Sequence, residues 1–174
     1  MRSYASVAVR SVPGDGTTGV NVTLRHPHKI RIGNDVLIDD GCVLDAKGST
    51  NEGITVGNGV FLGRLSSVNT KDGDIVLEDG VNVGAFCTIF SASQVRCGQN
   101  TLFAAYSYVV GGGHDMARTD VAIIDQQRPS RGIAIGPNCW IGAGVLVLDG
   151  VTIGRDVVVG RTPDDHDLSV LSGG

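Results

Sequence analysis

One histidine of this chain stands in a setting where its side chain could do chemistry. His114 directly follows three glycines, and Trp140, the single tryptophan, comes later in the chain. An unperturbed imidazole has a pKa of about 6.5, so an outward histidine could remove a proton from a hydroxyl or an amine at neutral pH. The glycines would let a ligand approach the backbone without meeting a Cβ atom. The alternatives are a surface histidine beside a flexible loop, and a tryptophan that packs under a loop or in a subunit interface.

The scaffold that would position these side chains is indicated by aliphatic residues that recur at every sixth position. Glycine follows most of these positions in the longest run. Because successive residues of a strand point to opposite faces, the fifth residue of one hexad and the first of the next point inward, and the residue between them points outward. The register is carried by Ile32, Ile38 and Leu44; Val56, Leu62 and Val68; Leu77, Val83 and Ile89; Cys97, Phe103 and Val109; and Ile135, Ile141, Val147, Ile153 and Val159.

A period of six predicts a short strand and a turn that repeat, and three such units would form one triangular coil whose neighbours bury its apolar side. We therefore predict an all-β protein, a parallel β-helix of about six triangular coils. Residues 1–31 would form two irregular strands that cap the first coil, together with the start of the coil stack. Residues 32–160 would form the β-helix, and residues 161–174 an irregular C-terminal tail. Parallel crossovers are generally right-handed, so this rule alone would predict a right-handed helix.

The repeat is interrupted most strongly after Val109, which predicts an excursion over residues 115–132 that leaves the column. Counting hexads places His114 outward at the root of this loop. Stacking by three hexads would then place Gln94 under His114 and Thr152 above it. Function is expected at this interruption, since uninterrupted coils provide only a scaffold.

Composition argues against several other classes of protein. The net charge is −4 without a long run of one sign, so no nucleic-acid or anionic-membrane partner is expected. No apolar stretch approaches the roughly 20 residues of a membrane span, and we predict a cytoplasmic protein. The four histidines lack the spacing of a β-helical zinc enzyme, so no metal is expected. The cysteines fall on inward positions and are interpreted as core residues: Cys42, Cys87, Cys97 and Cys139.

Two segments resemble a known family. G-G-G-H-D at the loop, followed by I-A-I-G-P-N-C-W-I-G-A-G-V and further hexads, is similar to the hexapeptide-repeat O-acetyltransferases. These include the galactoside and maltose acetyltransferases and the transferases that acetylate bacterial exopolysaccharide and lipopolysaccharide sugars. The best match covers residues 109–160, and the repeat itself covers residues 32–160. The W-I-G-A-G-V motif after a looped-out G-H is the more specific of the two signals.

The resemblance implies a left-handed β-helix, a homotrimer with active sites between neighbouring subunits, and acetyl-CoA as cosubstrate. His114 corresponds to the family's catalytic histidine, which would deprotonate the acceptor hydroxyl for direct attack on the thioester. Trp140, Gly142 and Ala143 would lie on the cofactor side. We also assign Gly160 and Arg161 to cofactor binding, although the chain departs from the family here. Arg161 stands where the family has a small residue, and Asp167 where it has a lysine.

The acceptor is less well determined by the sequence. Gln94 and Tyr108 are candidates for substrate binding, Gln94 through hydrogen bonds and Tyr108 by stacking on a sugar ring. The acceptor is predicted to be a sugar hydroxyl of a bacterial surface polysaccharide or a related saccharide. Two alternatives stay open: N-acetylation of an amino sugar or a nucleotide-linked amino sugar, and a non-catalytic β-helix scaffold.

Overall fold

Short strands that recur in threes make up almost all regular structure in the described part of the chain. The structure is a computed structural model that describes residues 16–115 and 117–161, together with the backbone of residues 168–172. Its strands are β1 (Thr17–Thr18), β2 (Thr23–Arg25), β3 (Ile30–Ile32), β4 (Leu37–Ile38), β5 (Val43–Lys47), β6 (Ile54–Val56), β7 (Phe61–Leu62), β8 (Ser67–Lys71), β9 (Asp74–Leu77), β10 (Asn82–Val83), β11 (Thr88–Ser91), β12 (Gln94–Cys97), β13 (Leu102–Phe103), β14 (Tyr108–Gly111), β15 (Ile133–Ile135), β16 (Trp140–Ile141), β17 (Leu146–Leu148), β18 (Thr152–Ile153), β19 (Val157–Arg161) and β20 (Leu168–Ser172).

Every third strand joins the same sheet, so the chain winds around three flat faces. Face 1 contains β1, β4, β7, β10, β13, β16, β19 and β20; face 2 contains β2, β5, β8, β11, β14 and β17; face 3 contains β3, β6, β9, β12, β15 and β18. All pairs are parallel except β19 with β20. Six complete coils and a seventh begun by β19 form a parallel β-solenoid, consistent with the left-handed β-helix that the resemblance implies. The predicted fold class is confirmed.

The core is a column of inward aliphatic side chains supplied by the fifth and first positions of the hexads. Phe103, Ile38, Leu44 and Ile141 are among the largest side chains that are fully buried. At about 25 cal/mol per Å² of apolar area removed from water, this column is the main source of stability. The four cysteines lie within it as free, buried thiols, which confirms their assignment as core residues.

The three corners of the triangle differ in length. Corner 1–2, between faces 1 and 2, always has four residues, and corner 3–1 has four, or three before β19. All longer or irregular connections lie at corner 2–3, which holds residues 26–29, 48–53, 72–73, 92–93, 112–132 and 149–151. The register slips of the sequence are therefore insertions at a single corner, and the long excursion leaves the column there.

Strand pairing extends to both ends of the described stack. Among the described residues the first strand begins at Thr17, and β1, β2 and β3 pair in parallel with β4, β5 and β6 as regular members of the stack. Val22 and Leu24 point inward. The four residues at corner 2–3 before β3 break the six-residue period, so the sequence pattern does not show that these two positions belong to the core. The tail is not wholly irregular, because β20 pairs antiparallel with β19. Residues 1–15, 162–167 and 173–174 lie outside the described residues.

Candidate functional site

His114 lies exposed where the excursion leaves β14, as the sequence predicts. Its Nδ1 atom is 3.1 Å from the backbone oxygen of Ile123. A carbonyl oxygen only accepts hydrogen bonds, so in the neutral ring Nδ1 carries the proton and Nε2 keeps a free lone pair. This is the form of imidazole that can accept a proton from a substrate through Nε2.

The excursion is folded back on itself, which holds the Ile123 carbonyl in place. Ile123 begins a single 3₁₀ turn, Ile123–Asp125, and its carbonyl also accepts the backbone N–H of Gln126 at 3.2 Å. The backbone N–H of Asp115 donates to the carbonyl of Gln127 at 2.8 Å, which closes the loop next to His114. The predicted loop is thus an ordered support for the imidazole.

A carboxylate that sequence reasoning did not single out anchors the returning end of the excursion. Asp149 accepts hydrogen bonds from the Ser130 hydroxyl at 3.0 Å and from the backbone N–H groups of Arg131 at 2.7 Å and Gly132 at 2.9 Å. The Ser130 hydroxyl also lies 2.7 Å from the Ser93 hydroxyl of the coil beneath. The only signal in the sequence is the Asp149–Gly150 dipeptide, which indicates a turn but not what the carboxylate holds.

Face 2 separates His114 from the residues that the resemblance assigns to the cofactor. His114 lies at corner 2–3, whereas Gly142 and Ala143 lie at corner 1–2. A strand of about four residues at about 3.3 Å each puts roughly 13 Å between these corners. Tyr108 points outward on the face between them and pairs with Leu146; their side chains are 47% and 45% exposed. The two corners are therefore joined by an exposed apolar strip, to which Leu148 also belongs.

Trp140 is outward on face 1, as predicted, and 53% exposed. Within a single chain, Trp140 therefore does not lie next to His114. Of the two small residues that the resemblance also assigns to the cofactor, Gly142 and Ala143, Gly142 uses its N–H in the ladder and donates it to the Val159 carbonyl at 2.7 Å. In the described part of the chain no acceptor meets the N–H of Ala143, so this amide is the one available to a ligand.

Gly160 lies against Gly142 in the next coil, where a Cβ atom added to Gly142 would be 3.2 Å from the Gly160 Cα atom and 2.9 Å from the Val159 oxygen. Glycine at position 142 is thus required by the close approach of two coils. Arg161 ends β19, where its backbone pairs with Leu168. Its side chain is outside the described residues, and its assignment to the cofactor stays a prediction.

Gln94 does not lie where the hexad count predicts. It begins β12 on face 3, pairs with Asp74 on one side, and has Gly132, the returning end of the excursion, on the other. Thr152 pairs with Ala134. The stacking of Gln94 and Thr152 around His114 is therefore wrong, because the excursion inserts residues between His114 and β15 and a count of hexads does not hold across it. Gln94 is exposed at the foot of the excursion, on the face 3 side of corner 2–3.

Two charged side chains of the excursion pair with each other. Arg118 holds Asp120 through hydrogen bonds, of which the Nε to Oδ1 bond is 3.0 Å, and this guanidinium lowers the pKa of the Asp120 carboxyl. In the core of the column, burial raises the pKa of the Cys97 thiol to about 12. Among the described residues, no group of three or more His, Cys, Asp or Glu side chains is arranged to hold a metal ion.

Corner 1–2 carries a ridge that the repeat pattern did not reveal. Leu65, Phe86 and Tyr106 occupy equivalent turn positions with φ of 57°, 58° and 64°. Side chains of this size rarely adopt a left-handed backbone, which costs roughly 1–2 kcal/mol per residue. The equivalent positions at corner 3–1 use glycine, asparagine or aspartate. The ridge is 43–64% exposed, and the rings of Phe86 and Tyr106 stack at 5.0 Å.

Comparisons with known proteins agree with this architecture. A family model described as "Bacterial transferase hexapeptide (six repeats)" matches residues 132–161. The "Probable acetyltransferase Rv3034c" of Mycobacterium tuberculosis is 30% identical over 138 residues, which are 76% of this chain and 46% of that protein. The chain thus spans about half the length of this curated relative. No helix in the described part of the chain has the length and apolarity needed to cross a membrane.

Two solved structures share the fold at low sequence identity. One is a Bacillus cereus protein described as a candidate acetyltransferase, with 16% identity, a TM-score of 0.58, and coverage of 92% of this chain and 76% of that one. The other is a histidine-to-asparagine mutant of perosamine N-acetyltransferase from Caulobacter crescentus, in complex with CoA and GDP-perosamine. It has 12% identity, a TM-score of 0.53, and coverage of 94% and 58%. The repeat, the coil stack and these matches together show that the chain carries the hexapeptide repeat of bacterial transferases and is similar in sequence to a probable acetyltransferase.

Proposed function

We propose that this protein is an acetyl-CoA-dependent acetyltransferase that moves an acetyl group directly to a sugar hydroxyl, with His114 as the general base. The observation that carries the proposal is the exposed imidazole whose Nδ1 is held by the Ile123 carbonyl at 3.1 Å. That contact presents an unprotonated Nε2 at the edge of the column. The similarity to a curated acetyltransferase supports the class of reaction.

In this reaction Nε2 of His114 removes the proton of the acceptor hydroxyl as its oxygen attacks the thioester carbonyl carbon. The carbon–sulfur bond then breaks, and the CoA thiolate leaves and takes up the proton from the imidazolium. The oxyanion that develops needs a hydrogen-bond donor. The N–H of Ala143 suits this role because nothing in the described chain engages it. We assign Trp140, Gly142, Gly160 and Arg161 to the same donor side.

The separation of about 13 Å across face 2 favours a site completed by a second copy of the chain. We propose a homotrimer in which His114 of one subunit meets the Ala143 corner of its neighbour. The exposed ridge of Leu65, Phe86 and Tyr106 at that corner supports self-association, because a contact between subunits would remove its apolar side chains from water. Leu65→Asn combined with Tyr106→Asn tests this, since asparagine tolerates the left-handed backbone. Sedimentation should show a loss of trimer; an unchanged trimer would exclude the ridge as the contact.

The acceptor is proposed to be a saccharide that lies between Tyr108 and Gln94. Tyr108 offers an exposed ring at the start of β14 on face 2, and Gln94 an exposed amide at the start of β12 on face 3, beyond corner 2–3. The perosamine N-acetyltransferase that shares the fold binds GDP-perosamine, so the assay includes amino sugars and nucleotide-linked sugars. If the protein acetylates amino sugars and not neutral sugars, the reaction is N-acetylation rather than O-acetylation. A cytoplasmic location stays a prediction.

The decisive experiment measures thiol release from acetyl-CoA over a panel of sugars, amino sugars and nucleotide sugars. His114→Ala should lower kcat by roughly 10²–10⁴-fold while acetyl-CoA binding is retained. His28→Ala, which removes an exposed imidazole at corner 2–3 of the first coil, is the matched control and should leave turnover unchanged. Equal activity of His114→Ala and wild type would refute the general-base role. If the protein shows no turnover and does not bind acetyl-CoA, the non-catalytic scaffold is favoured instead.

A further inference from the structure

The excursion contains one buried polar side chain whose position relative to His114 has a consequence for catalysis. Gln126 is 8% exposed, whereas its neighbour Gln127 is exposed. Its Nε2 donates to the carbonyls of Arg118 at 2.7 Å and Val121 at 3.1 Å, and its Oε1 accepts the N–H of Arg118 at 3.2 Å. All three bonds tie together the two halves of the same loop.

The backbone of Gln126 leads directly to His114. Its N–H donates at 3.2 Å to the Ile123 carbonyl, the same oxygen that lies 3.1 Å from Nδ1 of His114. The 3₁₀ turn that aims this carbonyl has no side-chain cap at its N-terminal end and buries no residue of its own. The amide of Gln126, which closes the segment before the turn, is therefore the side chain best placed to hold it.

We propose that Gln126 is a positioning residue that keeps His114 in the Nδ1-protonated tautomer by fixing the Ile123 carbonyl. The effect on catalysis rests on the proposed function of His114, whereas the effect on its tautomer does not. Without the Gln126 amide, residues 118–121 lose three hydrogen bonds and the turn is free to move. The imidazole then exchanges the carbonyl for water and populates the tautomer that carries its proton on Nε2, which cannot act as a base through that atom.

The test compares Gln126→Met with Gln127→Met in the full-length protein. Methionine keeps the length of the side chain and removes its hydrogen bonds, and the control makes the same change at the adjacent exposed position. Nitrogen-15 NMR of the histidine rings above their pKa reports which ring nitrogen of His114 carries the proton. We expect the Nδ1-protonated form in the wild type and in Gln127→Met, and a shift toward the Nε2-protonated form in Gln126→Met.

Kinetics supply the second readout. Gln126→Met should lower kcat by at least about tenfold, with the KM for acetyl-CoA unchanged, because it affects a proton transfer rather than donor binding. A tautomer that stays unchanged in Gln126→Met overturns the proposal, and so does a shifted tautomer with an unchanged kcat. If the chain transferred no acetyl group to any acceptor, the proposed function would fail, while the NMR comparison would still decide whether Gln126 sets the tautomer.

Discussion

The anchor at Asp149 allows a quantitative prediction for the returning end of the excursion. Asp149→Ala removes the acceptor of three hydrogen bonds, two of them from the backbone N–H groups of Arg131 and Gly132. A hydrogen bond to a charged group is worth about 1.5–3 kcal/mol. Because Asp149 is only half-buried, about 1 kcal/mol for each bond is the better value, or about 3 kcal/mol in all. At 1.4 kcal/mol per factor of ten, local opening becomes about 100-fold more frequent.

Amide hydrogen exchange measures this opening directly. The amides of Arg131 and Gly132 should exchange about 100-fold faster in Asp149→Ala, while amides of the face 2 ladder keep their wild-type rates. Asp125→Ala makes the same change of charge in the excursion, and no hydrogen bond to its carboxylate occurs among the described residues, so it should change these rates little. An acceleration under about threefold at Arg131 and Gly132 would refute the idea that Asp149 holds the loop.

Three further predictions concern the column itself. The pKa of about 12 at Cys97 lies above its ordinary value of 9.0, so the unfolded chain ionises first and stability is lost as pH rises past 9. Between about pH 8 and about pH 10.5, the free energy of unfolding of Cys97→Ala should therefore fall by about 2 kcal/mol less than that of the wild type. Urea unfolding at both pH values measures this difference. Phe103→Ala should cost about 3–5 kcal/mol by leaving a cavity, whereas Leu102→Ala, on the exposed side of the same strand, should cost under about 1 kcal/mol. Gly84→Ala should cost about 1–3 kcal/mol because its Cβ would lie 2.7 Å from a backbone oxygen, whereas Gly154→Ala, whose Cβ would meet no described atom within 4 Å, should be nearly neutral.

Each of these pairs has an outcome that contradicts its reasoning. Equal alkaline losses in wild type and Cys97→Ala would mean that the thiol ionises in the folded state. Equal costs for Phe103→Ala and Leu102→Ala would contradict the assignment of inward and outward positions on face 1. A neutral Gly84→Ala would show that neighbouring coils can separate locally without loss of stability.

Much of the fold follows from local rules. The sixfold period assigns inward and outward positions because side chains alternate along a strand, and Cys139, Trp140 and Ile141 lie as that rule predicts. The same rule placed Tyr108 outward and the four cysteines in the core. It failed at Thr17–Ile32, where residues inserted at corner 2–3 break the count although the strands are regular.

The candidate site was only partly predictable. The break in the repeat located His114 at the root of a loop, because a loop must leave the column wherever hexads stop. The stacking of Gln94 on His114 was wrong, since the excursion returns through Gly132, which takes the neighbouring position. Gln126 and Asp149 were missed altogether. Their importance depends on hydrogen bonds to backbone atoms, and sequence patterns carry no signal for the partners of a loop carboxylate or amide.

The sequence by itself determined the coil stack, its core and the position at which the repeat is interrupted. These features depend on the periodic burial of apolar side chains along the chain. Only the tertiary structure decided that every insertion falls at one corner and that the excursion folds back onto His114. It also decided that a full face separates His114 from Ala143. These features depend on distances between segments remote in sequence, which hydrogen bonds such as the one between Nδ1 of His114 and the Ile123 carbonyl establish after the coils have stacked.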